Sequence, residues 1–351
     1  MIPLTPKEIV IRIARRVLGE NRVHDYLIRR GIELRHLQDG YSGSETAECR
    51  EGFKGNCAKH QTLIFMADGK WMHGGLTDRL RGMASAYRFA KEHQLEFKIF
   101  HTSPFELQQI LQPNNVHWNI DKSEISYDSA IAKPVLLYRE DFENDSALER
   151  QLDKSHTQFH LYSCVDTVNE KFPEYINELF KPSPLLSQEL AHYENLLGTN
   201  YTAISFRFQN KLGDFKEFTF SELPDAGKQD LLKASLDAIK REIAQNSNKI
   251  PASEGMTNRD NKILVTADSP TFLAEVEKMP NVVTVKGKSI HIDFNKSKNA
   301  SDYLKAFTEF YLISRASKAK LYHNRKHKTY PSNFPKYAAL LGHVPYEIVE
   351  G

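Results

Sequence analysis

The sequence predicts an α/β protein made of two doubly wound units in tandem, facing each other across a cleft. Three observations carry this. A strand, a glycine turn, a helix and a second strand follow one another from Gln61 to His101. Short apolar strands and amphipathic helices alternate from about residue 200 to the C-terminus. At 351 residues the chain is also too long for one ordinary core. Strands separated by helices make parallel sheets covered on both faces.

In the first unit, Leu63 to Met66 forms an apolar strand, and Gly74 and Gly75 turn the chain into a helix. On that helix Leu76, Leu80, Met83, Ala84, Tyr87 and Ala90 recur at three- and four-residue steps and make the buried stripe. Asp78, Arg79 and Arg81 cluster in its first turns, at the end that faces the glycine turn. Mixed apolar and charged runs follow from Asp121 to Phe180, and two prolines in KPSPLLSQEL precede a helical pattern. The boundary is placed there, giving units of residues 1–195 and 196–351. In the second unit TAISFRF and KILVTA read as strands, with Leu232, Leu236, Ile239 and Ile243 marking a helix between them. Residues Asn246 to Asp260 are polar, hold Pro251 and Gly255, and read as a surface loop. NVVTV is a further strand, Tyr303 to Ala316 a helix, AKLYH a strand, and SNFPKYAALLG a helix stopped at Gly342.

Composition narrows the function. The balance of 47 basic and 45 acidic residues leaves a net charge of +2, so no global field draws in nucleic acid and any phosphate site is local. Apolar residues at 40% and charged residues at 26% belong to a soluble globular chain. The N-terminus lacks a signal-peptide core, and no run of about 18 apolar residues occurs. Cys49, Cys57 and Cys164 make an odd set without a CxxC pair, as expected of thiols in a reducing compartment. A cytoplasmic location is therefore expected. The segment Pro6 to Leu18 spaces Ile9, Ile13 and Val17 helically among Arg12, Arg15 and Arg16. Either it packs on its own domain or it lies on an anionic membrane surface, the one membrane contact expected.

Four stretches carry candidate chemistry, each with a plain structural alternative. In HGGLTDRLRGM, Gly74 and Gly75 open a helix whose first N–H groups suit an anion or sugar hydroxyls, with Asp78 and Arg79 beside them; glycine pairs also end strands for turn geometry alone. SFRFQNKLGDFKEF leaves a strand with Ser205 and Arg207 and reaches Lys211, Asp214 and Glu217, a set able to neutralise a diphosphate or simply a solvated charge cluster. In LVTADSPTFL, Asp268 follows a buried strand and Ser269 opens a helix, so Asp268 caps that helix or accepts the paired donors of a guanine edge. In YPSNFPKYAALLG, Ser332 or Asn333 caps a helix whose N-terminus suits phosphate. GxxxxGK[ST], GxGxxG after a strand, HExxH and GxSxG are all absent, which weighs against kinase, dinucleotide and hydrolase readings. Asp-x-Asp is absent too, so a diphosphate here is expected to rely on cations and helix dipoles, with no metal and no cofactor.

These stretches, in this order, resemble the fucosyltransferases of the GT-B fold, particularly the α1,6-fucosyltransferase and NodZ group and the protein O-fucosyltransferases. GGLTDRL is similar to their GGxGNRL turn, with Thr77 at a glycine position and Asp78 where Asn is common. SFRFQNKLGDF is similar to their first C-terminal motif: Arg207 and Lys211 keep its spacing, Ser205 stands at its histidine, Phe208 at its second arginine and Phe215 at its glutamate. TADSPTFL places Asp268 on an aspartate of the second motif, and the third matches from Glu309, in place of an aspartate, to Ser332. The resemblance covers residues 62 to 90 and 200 to 342. It implies a GT-B enzyme of two Rossmann-like domains that transfers fucose from GDP-fucose, with inversion, to a glycan or lipid-linked glycan in polysaccharide biosynthesis. Arg207 would grip the β-phosphate, Lys211 assist and Asp268 read the guanine. Asp214, then Glu217, are the candidate bases. Gly74, Gly75, Asp78, Arg79, Ser205, Ser269, Ser332 and Asn333 complete the expected donor contacts.

Overall fold

The computed structural model describes residues 31–42, 61–137, 145–215, 221–247 and 262–351. The segment Pro6 to Leu18, Cys49, Cys57, Glu217 and most of the loop Asn246 to Asp260 lie outside the described residues.

Two fully parallel sheets organise the chain. The first takes β1 (Thr62–Ala67), β2 (Glu96–His101), β4 (Ala132–Leu137) and β5 (Gln158–Ser163) in the order β2-β1-β5-β4. The second takes β7 (Tyr201–Phe206), β8 (Lys262–Ala267), β9 (Val282–Val283), β10 (Lys318–His323) and β11 (Tyr346–Glu350) in the order β11-β10-β7-β8-β9. A short antiparallel pair, β3 (Leu111–Pro113) with β6 (Phe180–Pro182), accompanies them. The labelled helices are α1 (Leu76–Glu92), α2 (Phe172–Leu179), α3 (Pro184–Leu197), α4 (Asp225–Ser247), α5 (Pro270–Val276), α6 (Leu304–Ile313) and α7 (Asn333–Leu341).

Strand alternation assigns the faces. Leu63, Phe65 and Ala67 of β1 point into one apolar cluster with the whole predicted stripe of α1, whereas Ile64 and Met66 join a second cluster with Phe100, Leu136 and Tyr162. In the second sheet Ile204, Phe206, Ile263 and Val265 pack with Leu231 and Ile239 of α4 and Phe272 of α5. Ala203, Leu264 and Ala319 point the other way, onto Phe307 and Phe310 of α6 and Ala338 of α7, and these belong to the same continuous cluster as Phe65 and α1. Apolar contact thus runs unbroken between the two sheets.

The proline-rich stretch before residue 195 starts α3: Ser183 caps it by accepting from the Leu186 N–H, and Pro184 sits where the N–H has no helical partner. The strand expected over NVVTV shortens to Val282–Val283, because Thr284 and Val285 leave the ladder and the Val285 carbonyl accepts from Lys305 instead.

The position of α1 depends on Gly82. A Cβ there would lie 2.7 Å from the Ser163 carbonyl oxygen at the end of β5 and 3.0 Å from the Phe65 ring. Alanine gains about 1 kcal/mol of helix propensity, but overpacking costs about 1–3 kcal/mol. Gly82→Ala is therefore expected to lower the denaturant midpoint; an unchanged or raised midpoint contradicts this packing.

Candidate functional site

A cavity of about 220 Å³ opens where the start of α1 meets the ends of β7 and β8, the turn before α6 and the start of α7. Gly75, Asp78, Ser205, Arg207, Asp268, Ser332 and Asn333, all singled out in the sequence, line it. Gly74, Arg79, Lys211, Asp214 and Ser269 do not.

The loop after β7 fixes Arg207. Asp268, at the end of the neighbouring strand β8, accepts the Phe208 N–H on Oδ1 at 2.8 Å. Its Oδ2 accepts the Gln209 N–H at 2.7 Å and Arg207 Nη1 at 2.7 Å. These bonds hold Gln209 in the left-handed region, at a φ of 57°, where a residue with a Cβ is strained. The Arg207 guanidinium, about one fifth exposed, also lies 5.1 Å from the Phe215 ring centre. Burial pushes the Asp268 carboxyl up, while Arg207 and the two amides pull it down. Asp268 thus lines the cavity as the anchor of Arg207, with both oxygens engaged by the loop after β7. Beside it, Thr266 donates to Ser205 Oγ at 2.8 Å.

Asp214 caps α5. Its Oδ2 accepts from Ser269 Oγ at 2.6 Å and from the Thr271 N–H at 2.9 Å, and Ser269 in turn accepts from the Phe272 N–H. The sequence reading gave Asp268 the option of this cap; Ser269 takes it, supported by Asp214 from 55 residues before Ser269 in the chain. Ser332 caps α7 by accepting from the Phe334 N–H, which leaves its helix N-terminus at the cavity.

At the glycine turn, Gly74 has a φ of +85°, and a Cβ there would sit 2.6 Å from Asp78 Oδ2. The Gly75 N–H donates to Asp78 Oδ2 at 3.2 Å, and Arg81 pairs with Asp78 Oδ1. The Asp78 side chain is still 40% exposed. The anion expected at this turn is supplied by the protein: the Gly74 N–H donates to Asp293 Oδ2 at 2.5 Å. Arg79, expected at the donor, is buried and donates to Asp293 Oδ1 at 2.7 Å, to His101 Nε2 at 3.1 Å and to the Ser103 carbonyl at 3.3 Å. Burial and Arg79 push His101 down to about 3, which keeps its imidazole neutral and Nε2 an acceptor.

The sequence reading missed one wall, the stretch Lys288 to Ile292, which has neither helical nor strand periodicity. It also missed Tyr303, Lys305 and Tyr330. Lys305 donates to the Val285 carbonyl at 2.6 Å and to Glu309 Oε1 at 2.5 Å, four residues apart on one helix face. That spacing was the available signal. Burial pushes the Glu309 carboxyl up against the pull of Lys305. Among the described residues no cluster of three His, Cys, Asp or Glu side chains is arranged to hold a metal ion, and no helix is long and apolar enough to cross a membrane.

No family model and no curated protein sequence matches the chain. Solved structures do. The NodZ α1,6-fucosyltransferase co-crystallised with GDP superposes with a TM-score of 0.51 at 16% identity, over 84% of this chain and 95% of that one. NodZ α1,6-fucosyltransferase soaked with GDP-fucose gives 0.50 at 15% identity, over 83% and 95%. The likeness is one of architecture, and the chain has the GT-B fold of these fucosyltransferases.

Proposed function

We propose that the chain is an inverting glycosyltransferase that takes fucose from GDP-fucose and passes it to a glycan or lipid-linked glycan, without a metal. Residues 1–195 hold the acceptor and residues 196–351 the donor. The observation that carries this reading is Arg207, fixed by Asp268 in a cavity that also receives the starts of α1 and α7, within a fold shared with GDP-bound NodZ.

In this reading the diphosphate lies against Arg207 and the N-terminus of α7, where a guanidinium and the positive end of the helix dipole meet the charge that grows on the leaving group. An acceptor hydroxyl oxygen forms the new bond to the anomeric carbon as the bond to the diphosphate breaks, and a carboxylate takes the hydroxyl proton. Four carboxylates line the cavity. Asp268 is engaged by the loop after β7 and Glu309 is buried against Lys305, while Asp302 is exposed. Asp78 is half-exposed yet held by Arg81 and the Gly75 amide, and we assign it proton removal in place of Asp214. With Asp268 turned to the loop after β7, the guanine falls to the wall Lys288 to Ile292.

A second reading, a nucleotide-binding protein of this fold without turnover, draws support from Ser205 at the family's histidine position and from the pairing of Arg207 with Asp268. Release of GDP from GDP-fucose, with water as acceptor, separates the two. Arg207→Ala is expected to slow that release about 100-fold or more, the scale of losing one preorganised charge-stabilising donor, and Lys211→Ala to act more mildly. Asp78→Asn is expected to slow it by about 100-fold with GDP affinity unchanged. Full turnover in Arg207→Ala removes the centre of the donor site. Release is further expected to persist in excess EDTA, because the sequence has no Asp-x-Asp pair; a strict need for manganese or magnesium contradicts the metal-free mechanism.

A further inference from the structure

We propose that Asp293 is a positioning residue that sets the spacing between two walls of the donor cavity. The inference rests on the donor reading above for its ligand, and on the following geometry for its mechanism.

One wall is the stretch Lys288 to Ile292. Its beginning is tied to the second sheet, where Ser289 Oγ donates to the carbonyl of Ala267, the last residue of β8, at 2.9 Å. Its end is tied to the first unit by the next residue, Asp293, through the Gly74 N–H at 2.5 Å and Arg79 Nη2 at 2.7 Å. Gly74 and Arg79 bracket Gly75 to Asp78, the segment that forms the facing wall. Arg79 is itself fixed to the end of β2 through His101 and to the Ser103 carbonyl. A single carboxylate therefore spans the two walls, and each wall is anchored to its own sheet.

The side chains of Arg79 and Asp293 are 5% and 4% exposed, so the pair is shielded from water and salt. Neither lines the cavity, which makes their effect on a ligand indirect. A diphosphate and its base need donors at fixed positions on both walls, and displacement by about 1 Å is enough to weaken such contacts severely.

The test uses the full chain and GDP. Asp293→Asn keeps the side-chain shape and an oxygen for the Gly74 N–H but removes the charge facing Arg79. Calorimetric titration well below the melting temperature is expected to show GDP affinity falling about tenfold or more. A purely structural role predicts a lower melting temperature with GDP affinity of the folded protein unchanged, and that result overturns the proposal while leaving the donor reading standing. If the unmodified chain binds no GDP, the donor reading fails and this proposal falls with it. Should Asp293→Asn not fold, hydrogen exchange on the unmodified chain decides: a Gly74 amide that exchanges slowly without ligand and more slowly with GDP supports the tie, and one that exchanges within seconds in both states overturns it.

Discussion

A buried ion pair between residues 214 apart in sequence, Arg79 and Asp293, is the constraint on which the rest of the site depends. Removing either partner would leave an uncompensated charge in a dry environment, at a cost of about 3–5 kcal/mol, whereas the net gain from forming such a pair is small. Its value is therefore geometric. It takes up the Gly74 amide, holds the neutral form of His101 as an acceptor, and joins the start of α1 to the turn before α6. The continuous apolar cluster that includes Phe65, Leu80, Leu264 and Phe310 supplies the adhesion between the sheets, and the ion pair supplies the register.

Within the cavity the charges largely compensate one another. Arg207 is paired with Asp268 and Lys305 with Glu309, leaving Lys288, Asp78 and Asp302 as the lining charges nearest to solvent. Such a lining gives no broad attraction for anions. Recognition in the donor reading depends on where individual groups sit: a guanidinium paired with a carboxylate, and the positive ends of α1 and α7 at the same space. The strain at Gln209 belongs to this arrangement, since one of the two amides that hold Asp268 is its own and the other is that of Phe208 before it.

The parts of the fold with a strong period were legible in the sequence. The stripe of α1 and the strands at Leu63 and KILVTA appear where their patterns put them, because burial on defined faces imposes the period, while the strand read over TAISFRF ends at Phe206, where Asp268 draws the Phe208 and Gln209 amides out of the ladder. The wall Lys288 to Ile292 was not legible, since irregular backbone held by single side-chain bonds leaves no period. The convergence of Ser205, Arg207, Asp268, Ser332 and Asn333 on one cavity followed from motif order and strand ends. The partners of individual side chains did not. Nothing local to Arg79 announces Asp293, nothing local to Asp214 announces the N-terminus of α5, and the amides that engage Asp268 come from the next strand's loop. Each of these bonds spans 55 residues or more, a distance at which sequence pattern carries no geometry.

The proposed occupant of this cavity is a guanine nucleotide sugar. Thermal denaturation of the full chain with a panel of nucleoside diphosphates and their sugars tests it most directly, because a ligand at about 100 times its dissociation constant stabilises the folded state by about 2.7 kcal/mol. GDP and GDP-fucose are expected to raise the melting temperature while UDP and UDP-sugars leave it in place. A shift with the UDP compounds and none with the GDP compounds would contradict it.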